Sequence, residues 1–159
     1  MSDLEIYPLY QKPKFAQTCA AWGFGEWGAH MTNSSLEDNV AAYKKRTVES
    51  NNIPLTWIGT INEKIVGMIS LDEHDHDDHK DLSPWLASMY IHPTFRKNGY
   101  ATQLIQHLHT EAKKLGYNHL YLFTPDAMKL YEKNGWKITA KVRDPRGIYD
   151  HEKLMEIEL

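Results

Sequence analysis

Between Trp85 and Leu115 the chain passes from a strand into a helix through a loop with one glycine, and that passage leaves few folds open. Trp85 to Ile91 is apolar almost throughout, as a strand buried on both faces is, and Pro93 ends its ladder. Past Arg96-Lys97-Asn98-Gly99-Tyr100-Ala101, the residues Ala101, Leu104, Ile105, Leu108, Ala112 and Leu115 recur every three or four positions. They draw one apolar stripe along a helix of about four to five turns. Lys113 and Lys114 fall in its last turn and Gly116 ends it. The first amides of a helix have no intrahelical partner and carry the positive end of the macrodipole, so such an N-terminus can hold a phosphate by main chain alone. Gly99 lacks a Cβ and Ala101 brings only a methyl, which leaves the amides of residues 97 to 102 approachable. Arg96 and Lys97 add charge at the rim.

A second strand-to-helix passage follows. Leu120 to Phe123 leads through Thr124-Pro125-Asp126 into a short helix, with Pro125 at or near its first position. Asn134-Gly135 closes that helix, and Trp136, Ile138 and Ala140 alternate as a strand does. The order Arg96-Lys97-Asn98-Gly99-Tyr100-Ala101 resembles the Q/R-x-x-G-x-G/A signature of the GNAT family of N-acetyltransferases. Ala127, Leu130, Tyr131, Glu132, Lys133, Gly135 and Trp136 stand in the register of that family's N-x-x-A-x-x-L-Y-E-K-x-G-F. The family's Asn, which contacts the pantetheine arm of the cofactor, falls here on Thr124.

The N-terminal half supplies the remaining elements. Glu5 to Leu9 reads as a strand, and Lys14 to Trp27 as a helix with Phe15, Thr18, Cys19 and Trp22 on one side. Ser34 to Asp38 is an N-cap with an acidic first turn, and Leu36, Val40, Tyr43 and Thr47 carry a second helix to about Glu49. Leu55 to Ile61 and Lys64 to Leu71 form a hairpin around Asn62-Glu63, and His151 to Glu158 is the last strand. The order β-α-α-β-β-β-α-β-α-β-β is that of the GNAT fold. The resemblance therefore implies an α/β (α+β) chain with a single mixed, mostly antiparallel sheet flanked by helices. With 159 residues, 42% of them hydrophobic, we expect one core and one domain over 1–159.

Eighteen Lys and Arg against 21 Asp and Glu, a formal charge of −3, give no electrostatic footprint for nucleic acid or an anionic membrane. The single Cys19 can form no internal disulfide, and it sits among alanines as a small buried hydrophobe. No stretch approaches the ~20 apolar residues of a membrane span and no signal-peptide core opens the chain, so a cytoplasmic location is expected. A homodimer is left open.

The resemblance implies acetyl transfer from acetyl-CoA, as co-substrate and without a metal, to a primary amine on a small metabolite or a peptide. It assigns cofactor binding to the backbone around Met89, Tyr90 and Ile91, where the family's fourth strand splays from the fifth, to residues Arg96, Lys97, Asn98, Gly99, Tyr100, Ala101 and Thr102, and to Thr124. It places the Tyr131 phenol near the departing sulfur as general acid; the alternative for Tyr131 is a core aromatic beside Leu130 and Trp136. The general base is open among Glu26, Asp72, Glu73 and Asp81. Asp72 to Asp81, with three His and six acidic residues in ten positions, reads as a solvated or substrate-facing loop in preference to a metal site. His107 and His109 point away from each other on their helix and read as surface residues. The same cofactor signature also fits transfer of another acyl group, a hydroxyl acceptor, or a non-catalytic CoA-binding sensor.

Overall fold

A computed structural model describes residues 2–159. The elements follow in the expected order: β1 (Glu5–Pro8), α1 (Ala16–Glu26), α2 (Leu36–Lys45), β2 (Leu55–Ile61), β3 (Lys64–Asp72), β4 (Trp85–Ile91), α3 (Tyr100–Lys114), β5 (His119–Thr124), α4 (Met128–Lys133), β6 (Lys137–Val142) and β7 (Glu152–Glu158). They build one seven-stranded sheet in the order β1-β2-β3-β4-β5-β7-β6. All neighbours are antiparallel except β4 and β5.

Alternation along the strands, reset by a bulge at Val66 where Gly59 pairs with Gly67 but Thr60 with Ile65, divides the apolar residues between two faces. Trp57, Val66, Ile69 and Leu71 pack against Leu104, Ile105, Leu108 and Ala112 of α3. Ile58 and Met68, on the other face, pack against Cys19, Ala20 and Tyr43 of α1 and α2. Each fully buried leucine of the α3 stripe contributes roughly 2 kcal/mol by leaving water. The β2–β3 hairpin turns at Asn62 and Glu63, both with positive φ (48° and 65°), the geometry whose twist matches that of the strands.

Three local expectations are corrected. The buried stripe of α1 is Ala16, Cys19, Ala20 and Gly23, small residues that let α2 approach, while Trp22 lies half-buried over Tyr90 at 5.1 Å. Asn39 Nδ2 donates to Ala20 O at 2.8 Å, which fixes that close packing. Helix α2 stops at Lys45, four residues short of Glu49, because the Thr47 hydroxyl donates to Lys44 O at 2.7 Å and Arg46 turns inward to Thr56 and Ser70. Pro125 lies outside α4, which starts at Met128; Thr124 Oγ1 accepts the Ala127 amide at 3.1 Å and holds the intervening turn.

Strands β3 and β4 lie close where α3 crosses them. A Cβ on Gly67 would stand 2.5 Å from Ile91 Cδ1 and 2.8 Å from the Tyr90 carbonyl oxygen, and the latter is backbone that cannot rotate away. Gly67→Ala should therefore destabilise the protein by about 1–3 kcal/mol, read as a lower urea midpoint with an unchanged slope.

Candidate active site

The parallel ladder between β4 and β5 holds one register pair, Trp85 with Tyr121, beside the Tyr121 amide donating to Pro84 O at 3.1 Å. Beyond it the strands part, and the β5-facing edge of β4 has no ladder partner among the described residues. A bulge sharpens the departure: Met68 pairs with Tyr90 but Ser70 with Ala87, and Ser88 takes a positive φ of 51°. Ser88, Met89 and Tyr90 are consequently half-buried, where a strand covered on both faces was expected. Of the three backbone positions expected to meet a pantetheine arm, Met89 lines the opening, Tyr90 lies under Trp22, and the Ile91 carbonyl is taken by Arg96 Nε at 2.8 Å.

At the C-terminal end of β4 the loop enters α3. Lys97 and Gly99 are both left-handed (φ 65° and 79°), which exposes the first amides of the fifteen-residue helix, and a Cβ on Gly99 would meet no atom within 4 Å. Asn98 Nδ2 donates to the carbonyls of Phe95 and Arg96 at 3.0 and 3.1 Å and braces the loop from behind. The Tyr100 ring is in the core, so this residue offers only its amide. An open, pre-shaped row of amides and an unpaired strand edge fit a pyrophosphate on an extended arm.

The gap continues into a cleft of about 410 Å³. One wall is Leu86, Ala87, Ser88 and Met89 of β4; the other is Leu122, Phe123 and Thr124 of β5 with Tyr131 of α4. Toward α1 and α2 it is lined by Trp27, Tyr43 and Tyr149 and carries Glu26, Asp75, Asp126 and Glu152 with Arg146. Tyr131 is buried with its ring edge-on to Trp136 at 6.0 Å. Burial first, then the charges of Asp75 and Asp126, push its phenol far above 10, so it stays protonated.

Two loops shape the acidic end. In the β3–β4 loop His76 is buried: its Nδ1 accepts the Asp78 amide at 3.2 Å, so Nε2 carries the proton and donates to Arg143 O at 2.8 Å, and the ring stands edge-on to Phe123. That anchor holds the loop against β5 and places Asp75 in the cleft lining, as in the substrate-facing alternative for this loop. Asp75 is open to the cleft water yet deep in the protein; this burial, together with Asp72 and Glu152, holds its carboxyl well above the usual range. In the β6–β7 loop the buried Asp144 accepts the amides of Arg146, Ile148 and Tyr149 at 2.9, 2.8 and 2.7 Å. Those bonds and Arg146 hold its carboxyl below the usual range, although burial by itself works the other way. Arg146 then pairs with Asp144 at 3.7 Å and Glu152 at 3.6 Å and reaches the Glu26 carbonyl at 3.4 Å. Burial, then Asp144, pushes Glu152 up to about 7.

Among the base candidates read from sequence, only Glu26 lines the cleft. Asp72 ends β3 in an ion pair with Arg46 at 3.2 Å, and Glu73 is exposed beside His74; neither lines the cleft, nor does Asp81. Thr124 lines it with its hydroxyl oxygen engaged at Ala127. His107 and His109 are half-buried rather than superficial: His109 Nε2 accepts from Trp136 Nε1 at 3.1 Å, and burial lowers both imidazoles. Burial likewise pushes the Cys19 thiol up to about 12. Among the described residues no three His, Cys, Asp or Glu side chains gather as a metal site, and no helix is long and apolar enough to cross a membrane. Asp75, Arg146 and Glu152 were not singled out from the sequence. The readable signals were the loop containing Asp75 and the turn-forming Asp144-Pro145-Arg146-Gly147 ahead of Glu152.

The family model for an acetyltransferase (GNAT) domain matches residues 53–138. No curated protein matches the chain in sequence. Among solved structures it is similar to the acetyltransferase of the GNAT family from Streptococcus pneumoniae, at 21% identity and a TM-score of 0.72, covering 99% of both chains. It is also similar to an aminoglycoside 6'-N-acetyltransferase complexed with coenzyme A, at 15% identity and a TM-score of 0.73, covering 97% of this chain and 96% of that one. A third is yncA from Salmonella typhimurium with its cofactor acetyl-CoA, at 16% identity and a TM-score of 0.71, covering 98% of this chain and 93% of that one.

Glu152 yields a prediction about stability. Its folded value of about 7 lies above the ordinary 4.5, so across that window the folded chain binds more protons than the unfolded chain and stability falls as pH rises. Glu152→Gln should raise the thermal midpoint of the free protein more at about pH 8 than at about pH 5, measured by scanning calorimetry. A gain equal at both pH values would show that the carboxylate is not held against its charge.

Proposed function

Because the chain belongs to the GNAT acetyltransferases, a family of acyltransferase enzymes, we propose that it moves an acetyl group from acetyl-CoA to a primary amine entering the cleft from the α1–α2 side. The observation that carries this reading is the parting of β4 from β5, which leaves the edge of β4 free between the α3 N-terminus that follows it and a cleft lined by Met89, Tyr131 and four carboxylates. The aminoglycoside 6'-N-acetyltransferase of the same fold supports an amine as acceptor. When bound, acetyl-CoA supplies an acyl group already activated as a thioester. The amides of residues 97 to 102 would hold its pyrophosphate and the free edge of β4 at Met89 its pantetheine.

The chain's own groups divide the proton work. An amine arrives mostly as ammonium and must lose a proton before its lone pair can form the N–C bond. Asp75 accepts that proton; its raised carboxyl lies closer to the amine's own value and so shortens the uphill transfer. As the C–S bond breaks, charge gathers on sulfur and the protonated Tyr131 phenol donates a hydrogen bond to it, while the second proton, shed by the attacking nitrogen as the amide forms, ends on the departing thiolate to give the thiol. Because burial raises this phenol so far, its main contribution is a hydrogen bond in a water-poor pocket rather than early proton release.

Thiol release from acetyl-CoA across a panel of amines, amino acids and peptides tests the reading; coenzyme binding without release for any of them would overturn it. Gly99→Val should keep the circular dichroism of a folded protein, since the site is open surface, yet lose acetyl-CoA affinity by at least about tenfold. It costs about 1 kcal/mol or more at a left-handed position, and its methyls stand before the amides. Tyr131→Phe keeps the ring packing and should lower kcat by about ten- to a thousand-fold with acetyl-CoA affinity little changed. Equal kcat, with the chemical step shown to be limiting, would remove the phenol from the reaction.

A further inference from the structure

Asp75 and Tyr131 leave Glu152 without a task in the reaction, and its surroundings are unusual for a carboxylate. The residue is 3% exposed; Oε1 lies 3.6 Å from Arg146 Nη2, and Oε2 is buried in the cleft wall without a hydrogen-bond donor. A buried acceptor left unpaired costs about 1–3 kcal/mol, so the position is expensive unless something outside the chain supplies an N–H or O–H. The protein does not supply it from nearby: Arg146 is the sole Lys or Arg in the cleft lining, and it is already divided between Asp144, Glu152 and the Glu26 carbonyl.

The charge of the cleft narrows what that donor is. Glu26, Asp75, Asp126 and Glu152 face one guanidinium, so an anionic or neutral acceptor leaves the imbalance standing, whereas an ammonium reduces it. A single ammonium does so only until it reacts, because the attacking nitrogen gives up its positive charge. Charge stays matched through the transfer if the acceptor carries a second amine that is not consumed. Trp27 and Tyr149 line the same end, and the Arg146 guanidinium standing over the Tyr149 ring at 5.7 Å shows that the end already accommodates a cation.

We propose that Glu152 Oε2 binds a second, non-reacting ammonium of the acceptor, and that the substrate class of this site is therefore a di- or polyamine. This rests on the acetyl-transfer reading for the role of the first amine, but the binding site itself can be tested without turnover. Burial and Asp144 push Glu152 up to about 7; an ammonium on Oε2 pulls it down again, so diamine binding near neutral pH releases protons.

The experiment is calorimetric titration at about pH 7.5 with α,ω-diamines of about three to eight carbons and with n-alkylamines of matched length, in two buffers of different ionisation enthalpy. The best diamine should bind at least about tenfold more tightly than its monoamine, with net proton release, and Glu152→Gln should erase that advantage. Monoamines binding within about twofold of the diamines, or a Glu152→Gln protein that keeps the preference, would overturn the proposal. Unchanged circular dichroism and acetyl-CoA affinity show that the variant is folded. A second measurement needs no variant: between about pH 8 and pH 6 the amines keep their protons while Glu152 gains one, so the diamine should lose more affinity than the monoamine. The groups facing Glu152 there are Arg146 and Asp144 on the β6–β7 loop, Asp126 before α4, Asp75 on the β3–β4 loop and Glu26 at the end of α1. The monoamine controls for Asp75, and equal losses would count against Glu152. Failure of the two ideas is distinguishable: Glu152-dependent diamine binding without thiol release supports the ammonium site and removes acetyl transfer. Thiol release with equal KM for both amine classes retains acetyl transfer and removes the site.

Discussion

Parallel strands β4 and β5 share one register pair and then diverge, and the unpaired backbone that results shapes everything around it. A row of N–H and C=O groups inside a sheet is costly unless water or a ligand takes its hydrogen bonds. The chain meets this by leaving an open cleft along the split rather than filling it with side chains. The bulge at Ser88 turns β4 away, and Gly67 lets β3 and β4 stay in contact beneath the turn. The loop braced by Arg96 and Asn98 leads the chain into α3 directly after β4, so the free helix amides follow the free strand edge at the same end.

The far end of the cleft is built by groups distant in sequence and fixed by buried polar anchors. Asp144 accepts three amides and so spends its carboxylate on folding nine residues of loop; His76 does the same for the loop before β4. With those loops set, Asp75 and Glu152 are held as carboxyls whose charge the surroundings resist. Such positions lower the stability of the free protein and are prepared to receive a cation, which is how a site can favour ligand at the expense of fold.

Much of the frame was legible in the chain. The stripe from Ala101 to Leu115, the glycines at 99 and 116, the Asn62-Glu63 turn and the order of elements all reflect short-range rules: period, cap, and turn conformation. The misplacements arise where distant elements meet. Reading bulk as the mark of burial put Phe15 and Trp22 inside α1, whereas the approach of α2 selects small residues there. The end of α2 moved because Arg46 found Asp72, Thr56 and Ser70 across the sheet, and the same pair withdrew Asp72 from the list of bases.

By itself, then, the sequence determined the elements, their order, the phosphate-sized cradle before α3 and the position of Tyr131 on a short helix after β5. Each depends on residues within a few positions of one another. Tertiary structure alone decided which carboxylates count. Glu26, Asp75, Asp126 and Glu152 are up to 126 positions apart, and their charges act together only because the fold brings them to one cleft. A carboxylate's proton affinity is set by the charges and burial around it in space, and neither can be read from its neighbours along the chain.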